Sequence, residues 1–378
     1  MTNRYIKAAA IFDGETSHQD SALLILNNRV QAIVLQSNIP LTSEVQTFDG
    51  GMLIPGFVDV QVNGGGGVML NNIQSVEAIN TICDAHRKFG TTSLLPTLIT
   101  DTPAKIKAAI NAAIAAHKQN VQGFAGLHLE GPHLSVKRQG AHDPALIRPM
   151  THDDLEKLLA AKAELPTLLT TIAPENVTLE QVSSMANAGI IVSLGHTDCT
   201  YQTALDYFDA GATMVTHLFN AMSQLGNREP GLVGAALAAP GISCGLIADG
   251  HHVHPTTMQM ALKAKHKSGN VFLVTDAMST VGSDIKSFLL NGREIVRLDG
   301  RLTLSDGTLA GADIDMISCV RSARTRLDLS ATEAIRMASL YPATAINRQS
   351  DLGSLKPGAR ADFIHLSDDL EILSVNTG

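Results

Sequence analysis

Four ionisable side chains stand at or near the ends of separate apolar runs. Glu130 lies in FAGLHLEG (124–131), His196 closes IIVSLGH (190–196), His217 lies in ATMVTHLF (212–219) and Asp276 in VFLVTDA (271–277). One carboxylate and two imidazoles on one rim make a three-ligand site for a divalent cation, and zinc would leave its fourth position to water. Asp276, the remaining carboxylate, would then be placed to take a proton from that water. Read singly, each residue also has an ordinary use. The chain holds 14 histidines, and Glu130 and Asp276 are equally suited to capping a helix or pairing with an arginine. The set says more than its members, because each member follows its own apolar run. The glycines Gly64–Gly67 could cradle a phosphate, but no G-x-G-x-x-G or Walker pattern follows, so a mobile loop is expected there.

The elements that must position these residues can be read from the same runs. LIPGFVDVQV (53–62), TTSLLPTL (91–98), TLLTTIAP (167–174) and ISCGLIADG (242–250) join the four above to give eight near-continuous hydrophobic segments. Such runs, without strict alternation, suit parallel strands covered on both faces. Helical spacing fills several of the gaps, at 75–90, 102–120, 151–165 and 178–189. The last two open on Thr-capped acidic turns, and the last ends near Gly189. Eight strands alternating with helices predict a (β/α)₈ TIM-type barrel over residues 53–349, whose active site lies at the strands' C-terminal ends. Alternation alone leaves a doubly wound open sheet as the other arrangement. RYIKAAAIF, SALLILNN and RVQAIVLQ near the start, and two strands after the Lys356-Pro357-Gly358 turn, predict a small β-sandwich domain built from residues 1–52 and 350–378.

Composition bounds the class. The 378 residues are 44% hydrophobic and 17% charged, ample for a core and unlike a disordered chain. A formal charge of −8 argues against general binding to nucleic acid. Any anionic ligand must therefore meet local positive charge. The four cysteines, at 83, 199, 244 and 319, form no C-x-x-C pair, which suits reduced thiols in the cytoplasm. The opening apolar run is too short for a signal peptide. Residues 230–248 carry no charge, but Pro240-Gly241 breaks them into a short helix and a buried strand, so a soluble protein without a membrane partner is expected.

The motifs QVNGGGG (61–67), GLHLEGPHL (126–134), GAHDP (140–144), SLGHTD (193–198), THLFNAM (216–222), REPGLVG (228–234), ADGHHV (248–253) and LVTDAM (273–278) resemble the N-acetylglucosamine-6-phosphate deacetylases of the amidohydrolase superfamily. GTLAGADIDM (307–316) and LYPATAI (340–346) fit as well, so the likeness spans nearly the whole chain. It implies that Glu130, His196 and His217 hold the metal, that Asp276 is the catalytic base, and that His142 contacts the substrate and polarises its amide carbonyl. It further implies a sugar and acetyl pocket at Ala141, Asn220, Ala221, Leu309, Ala310 and Gly311. Arg228 and His252 would hold the 6-phosphate, reaching in from the neighbouring subunit of a homodimer. A guanidinium suits that task by gripping phosphate oxygens bidentately.

The implied reaction is hydrolysis of the acetamide of N-acetylglucosamine 6-phosphate to glucosamine 6-phosphate and acetate. One departure stands out. Where many amidohydrolases carry a His-x-His pair for a second metal, this chain has Gln61-Val62-Asn63, and neutral amides are poor ligands for a transition metal. One divalent ion per chain is expected, zinc first, with iron, cobalt, nickel and manganese compatible with the donor set. The rival readings are a related amidohydrolase acting on N-acetylgalactosamine 6-phosphate or a cyclic amide, and a non-catalytic sugar-phosphate binding protein.

Overall fold

Gly56 divides the first long apolar run between two sheets. A computed structural model describes residues 4–378. In it Met52–Pro55 pairs in parallel with Ala10–Phe12 and antiparallel with Phe363–Leu366, and only Phe57–Val62 enters the barrel. The run 53–62 is therefore two strands, not one. A Cβ at Gly56 would lie 2.1 Å from Thr92 Oγ1, so no other residue fits the crossing. The first β-like run, RYIKAAAIF, divides likewise, Arg4–Lys7 pairing in one sheet and Ala10–Phe12 in the other. Ile6, Leu23, Val30, Leu53 and Phe363 from the two sheets share one apolar core with Leu355. Both ends of the chain thus build the expected sandwich.

The other seven runs each supply a strand. Together the eight are β1 (Phe57–Val62), β2 (Thr91–Ile99), β3 (Leu127–Glu130), β4 (Leu168–Ile172), β5 (Ile191–Leu194), β6 (Met214–Val215), β7 (Ser243–Leu246) and β8 (Val271–Leu273). Neighbours pair in parallel in chain order. A parallel bridge Val62–Ala277, with the Asp276 amide donating to the Gln61 carbonyl at 3.0 Å, brings the chain beyond β8 back to β1. That closure selects the barrel over the open sheet.

The two-residue period of the strands stacks the interior in layers. Leu169, Ile191, Met214 and Phe272 pack in the lower part. Two residues further along lies a polar layer: His128 Nε2 meets Thr171 Oγ1 at 2.8 Å, and Thr216 Oγ1 joins Thr171 at 2.7 Å and Ser193 at 2.6 Å. Glu130, His196, His217 and Asp276 lie above it, at or just past the strand ends.

The helices follow their sequence signals. α1 (Val76–Arg87), α2 (Pro103–Lys118), α3 (His152–Glu164) and α4 (Leu179–Asn187) start after Ser75, Thr102, Thr151 and Thr178, each of whose hydroxyls accepts a backbone N–H. Thr151 with Asp154 and Thr178 with Gln181 close full capping boxes. The uncharged segment 230–248 is the helix Gly231–Ala238 followed by β7. Among the described residues no helix is long and apolar enough to cross a membrane.

One element has no counterpart in the sequence reading. After β8 the chain forms an antiparallel four-stranded meander of Ser287–Leu290, Arg293–Leu298, Arg301–Thr303 and Leu309–Ala312. Its first hairpin turns on Asn291 and Gly292, at φ +50° and +75°, the left-handed pair a two-residue hairpin loop requires. Leu290, Ile295, Leu302 and Ala310 pack it onto Met69, Ile99 and Met278 at the barrel mouth.

Candidate active site

His196 Nδ1 lies 2.8 Å from the Arg138 carbonyl oxygen, which can only accept, so Nδ1 carries the proton and the neutral ring's lone pair sits on Nε2. That lone pair faces His217 Nε2 at 3.1 Å and Glu130 Oε1 at 3.3 Å, while His217 Nε2 is 3.0 Å from the same oxygen. Burial would raise the Glu130 carboxyl, but the imidazoles of His196 and His217 beside it outweigh that and hold it well below the usual range. His217 Nδ1 is buried without a hydrogen-bond partner among the described residues; burial would lower this ring, but Glu130 and then Asp276 outweigh it and raise it. Three electron-pair donors on one point call for a cation between them. Donor atoms of a tetrahedral zinc with bonds of about 2.0–2.1 Å lie about 3.3–3.4 Å apart, close to the spacing here. Glu130, His196 and His217 fit such an ion.

His142 is a third nitrogen near Glu130 and His196. Its Nε2 stands off, 3.9 Å from Glu130 Oε2, and its Nδ1 receives the Thr100 hydroxyl at 2.8 Å and the Thr100 amide at 3.4 Å. An amide only donates, so Nδ1 is the acceptor and Nε2 carries hydrogen. Burial and the neighbouring His196 hold His142 well below the ordinary histidine value, as a neutral ring. In this tautomer Nε2–H is placed to donate, and the ring also lies close enough to Glu130 and His196 to form with them a group that could hold a metal ion.

Asp276 is pushed up to about 6, first by burial and then by repulsion from Glu130. Asn63 Nδ2 at 2.6 Å and Gln61 Nε2 at 3.2 Å both donate to its Oδ1, and Gln61 also reaches Glu130 Oε1 at 3.1 Å. The amides that replace the His-x-His pair thus hold the two carboxylates in place, and among the described residues no side chain donates to Oδ2 of Asp276. His196, His217 and Asp276 sit at φ +48°, +27° and +50°. Non-glycine residues in that region carry strain on the order of 1–3 kcal/mol each, sustained by the surrounding fold.

These groups open into a cavity of about 260 Å³. Ala141, His142, Asn220, Ala221, His252, Leu309 and Gly311 line it, as do Ile247 and Met278. Ala310 does not. It is fully buried in the apolar cluster beneath the meander, so only its neighbours face the cavity. Arg228 lies outside, exposed on the loop before the helix Gly231–Ala238. Among the described residues it makes no ion pair with its neighbour Glu229, whose Oε1 accepts the Tyr201 amide at 2.7 Å and the Gly231 amide at 3.0 Å. His252 corrects an expectation. It lines its own chain's cavity, its Nδ1 2.6 Å from Asp249 Oδ2, so it need not enter from a neighbouring subunit.

Gly64–Gly67 is a second correction. Gly64–Gly65 and Val68–Met69 form a short hairpin, and the amides of Gly64, Gly66 and Gly67 donate to Ala277, Val281 and Ser279 carbonyls at 3.0, 2.8 and 2.9 Å. These amides are spent on the backbone, leaving no phosphate cradle, and the expected βα loop is a hairpin tied to the chain beyond β8. His133 is structural, its Nδ1 3.0 Å from the Arg148 carbonyl. The exposed His251 points out of the cavity's lining set. The sequence reading missed Thr100, which fixes the His142 tautomer, Asp249, which orients His252, and the binding role of Gln61 and Asn63. Asp249 and the amides lie inside motifs already singled out, whereas Thr100 carries no signal of its own.

Barrel, converging donors and buried carboxylate define a metal-dependent hydrolase. The amidohydrolase family model matches residues 52–377, and the chain belongs to that family. Among its relatives are deacetylases of amino-sugar phosphates. An N-acetylgalactosamine-6-phosphate deacetylase of Shewanella sp. (strain ANA-3) is 45% identical over 86% of this chain and 82% of its own. An N-acetylglucosamine-6-phosphate deacetylase of Haemophilus influenzae is 35% identical over 94% of this chain and 93% of its own. The solved N-acetylglucosamine-6-phosphate deacetylase of Pasteurella multocida superposes with a TM-score of 0.95 at 34% identity, covering 99% of this chain and 98% of its own. The resemblance seen in the motifs therefore holds across sequence and fold.

Proposed function

We propose that this protein hydrolyses the acetamide of N-acetylglucosamine 6-phosphate to glucosamine 6-phosphate and acetate, a step of amino-sugar catabolism in the cytoplasm. The observation that carries the reading is the convergence of Glu130, His196 and His217 on one point beside Asp276, in a chain whose relatives deacetylate amino-sugar phosphates. Those three residues would hold one divalent ion, zinc first, and Gln61 and Asn63 leave no imidazole for a second. An ion held there would supply Lewis acidity, which makes water a stronger acid, in the best-known zinc case shifting its pKa from 15.7 towards roughly 7.

The protein's own groups carry the proton through the reaction. Asp276 Oδ2, to which none of the described side chains donates, takes a proton as water attacks the acetamide carbon. His142 Nε2–H donates to the carbonyl oxygen as it gains charge. The protonated Asp276 then gives its proton to the departing nitrogen, which leaves as an amine instead of an amide anion. His252, oriented by Asp249, and Arg228, reaching across from a partner subunit in a homodimer, serve the phosphorylated sugar. Asn220, Ala221 and the Leu309–Gly311 backbone shape its pocket.

The 45% identical relative is named for the galacto epimer, which makes N-acetylgalactosamine 6-phosphate the second reading. Amine release from the two epimers, compared as kcat/KM, decides between them. A higher value on the gluco substrate supports the proposal, and a higher value on the galacto substrate overturns the choice of epimer. Release from neither overturns the assignment as a deacetylase.

A further inference from the structure

The meander at the barrel mouth makes two contacts that converge on His142. Arg293, the first residue after the Asn291-Gly292 turn, donates from its guanidinium to the carbonyl of Ala141, the peptide joined to His142. Asn291, the first residue of the turn, donates from Nδ2 to the carbonyl of Thr100 at 3.4 Å. Thr100 is the residue whose hydroxyl and amide hold His142 Nδ1. Neither Arg293 nor Asn291 lines the cavity. The hairpin tip therefore touches the backbone on both sides of the imidazole without reaching a substrate.

The tip is itself held firmly. Arg297 Nε meets Asp313 Oδ2 at 2.6 Å, Thr280 donates to the other oxygen of Asp313 at 2.8 Å, and Asn72 Nδ2 reaches the Leu289 carbonyl at 3.0 Å. Leu290 and Ile295, flanking the turn, are fully buried beneath it. A rigid hairpin that grips the peptide before His142 and the backbone of its tautomer-setting partner can fix the angle of the ring.

We propose that Asn291 and Arg293 are positioning residues for His142, and that the meander serves to aim that side chain at the scissile carbonyl. The inference rests on the role given to His142 above. A double-mutant cycle tests it, with kcat, KM and metal content measured for Arg293→Ala, His142→Ala and the pair. Arg293→Ala should lower kcat about 10- to 100-fold, since an ångström's misplacement of a reacting group costs up to about 10²-fold. Metal content should hold, because Arg293 meets none of the three ligands, and KM should change less than kcat, because Arg293 itself does not line the cavity. In the His142→Ala background the same substitution should change kcat by no more than about twofold, as two changes acting through one group do not add. Asn291→Gly keeps the left-handed turn, removes only the side-chain donor, and should show the same dependence on His142 if Arg293→Ala does not fold. An equal loss in both backgrounds, or no loss in either variant, overturns the inference. Wild-type turnover in His142→Ala instead overturns the role of His142 on which it stands.

Discussion

At the scale of the residue, Asp276 owes its chemistry to where the chain leaves it. Burial and Glu130 raise it to about 6, near the pH at which a general base works best, while Asn63 and Gln61 tie one oxygen and free the other. Asp276→Asn should keep the metal and lower kcat by at least about 10²-fold, the lower end for lost general acid–base catalysis. The sign of the pH effect follows from the raised value. The base works ionised, so kcat/KM falls as pH drops through the Asp276 pKa. A cation at the neighbouring site favours the carboxylate, which puts the acid limb at or below pH 6, and the limb should be missing from the residual activity of Asp276→Asn. The four ionisable residues were legible because each follows an apolar run. Thr100 was not, since a threonine beside an aspartate is ordinary and its value lies in a ring folded against it from position 142.

At the scale of the element, the barrel strands could be read from sequence because parallel strands buried on both faces leave unbroken apolar runs. The division at Gly56 could not, because both halves of that run are equally buried and only a crossing against Thr92 separates them. The meander was hidden for the opposite reason. Its strands are half-exposed and carry Arg293, Glu294, Arg297 and Arg301, so they lack the continuous signal, although Asn291-Gly292 is a hairpin turn pair. Helix caps were plain in the sequence and should matter to stability alone. Thr151→Ala opens the capping box of α3, far from the cavity lining, and should cost about 1 kcal/mol. Chemical denaturation should show the loss, with kcat unchanged.

At the scale of the molecule, an acidic chain with the proposed phosphorylated substrate must gather its positive charge locally. His252 is in the chain's own cavity and Arg228 is exposed outside it, an arrangement suited to a clamp shared between subunits. Arg228→Ala should raise KM for the 6-phosphate substrate by about 10- to 150-fold, the range for one charge-assisted contact of about 1.5–3 kcal/mol. It should barely alter activity on unphosphorylated N-acetylglucosamine. Mixing that variant with Asp276→Asn should partly restore activity, because one site of a mixed dimer is then intact. No recovery from verified mixed dimers would place Arg228 in its own subunit's site.

The central claim is a single-cation hydrolase in which Glu130, His196 and His217 hold the ion and amides close the second position. Titrating chelator-stripped protein with zinc while following amine release from N-acetylglucosamine 6-phosphate tests it most directly. Activity should rise from near zero and break at one equivalent per chain, and His217→Ala should show no such break. Full activity after stripping, or a break at two equivalents, would contradict the account.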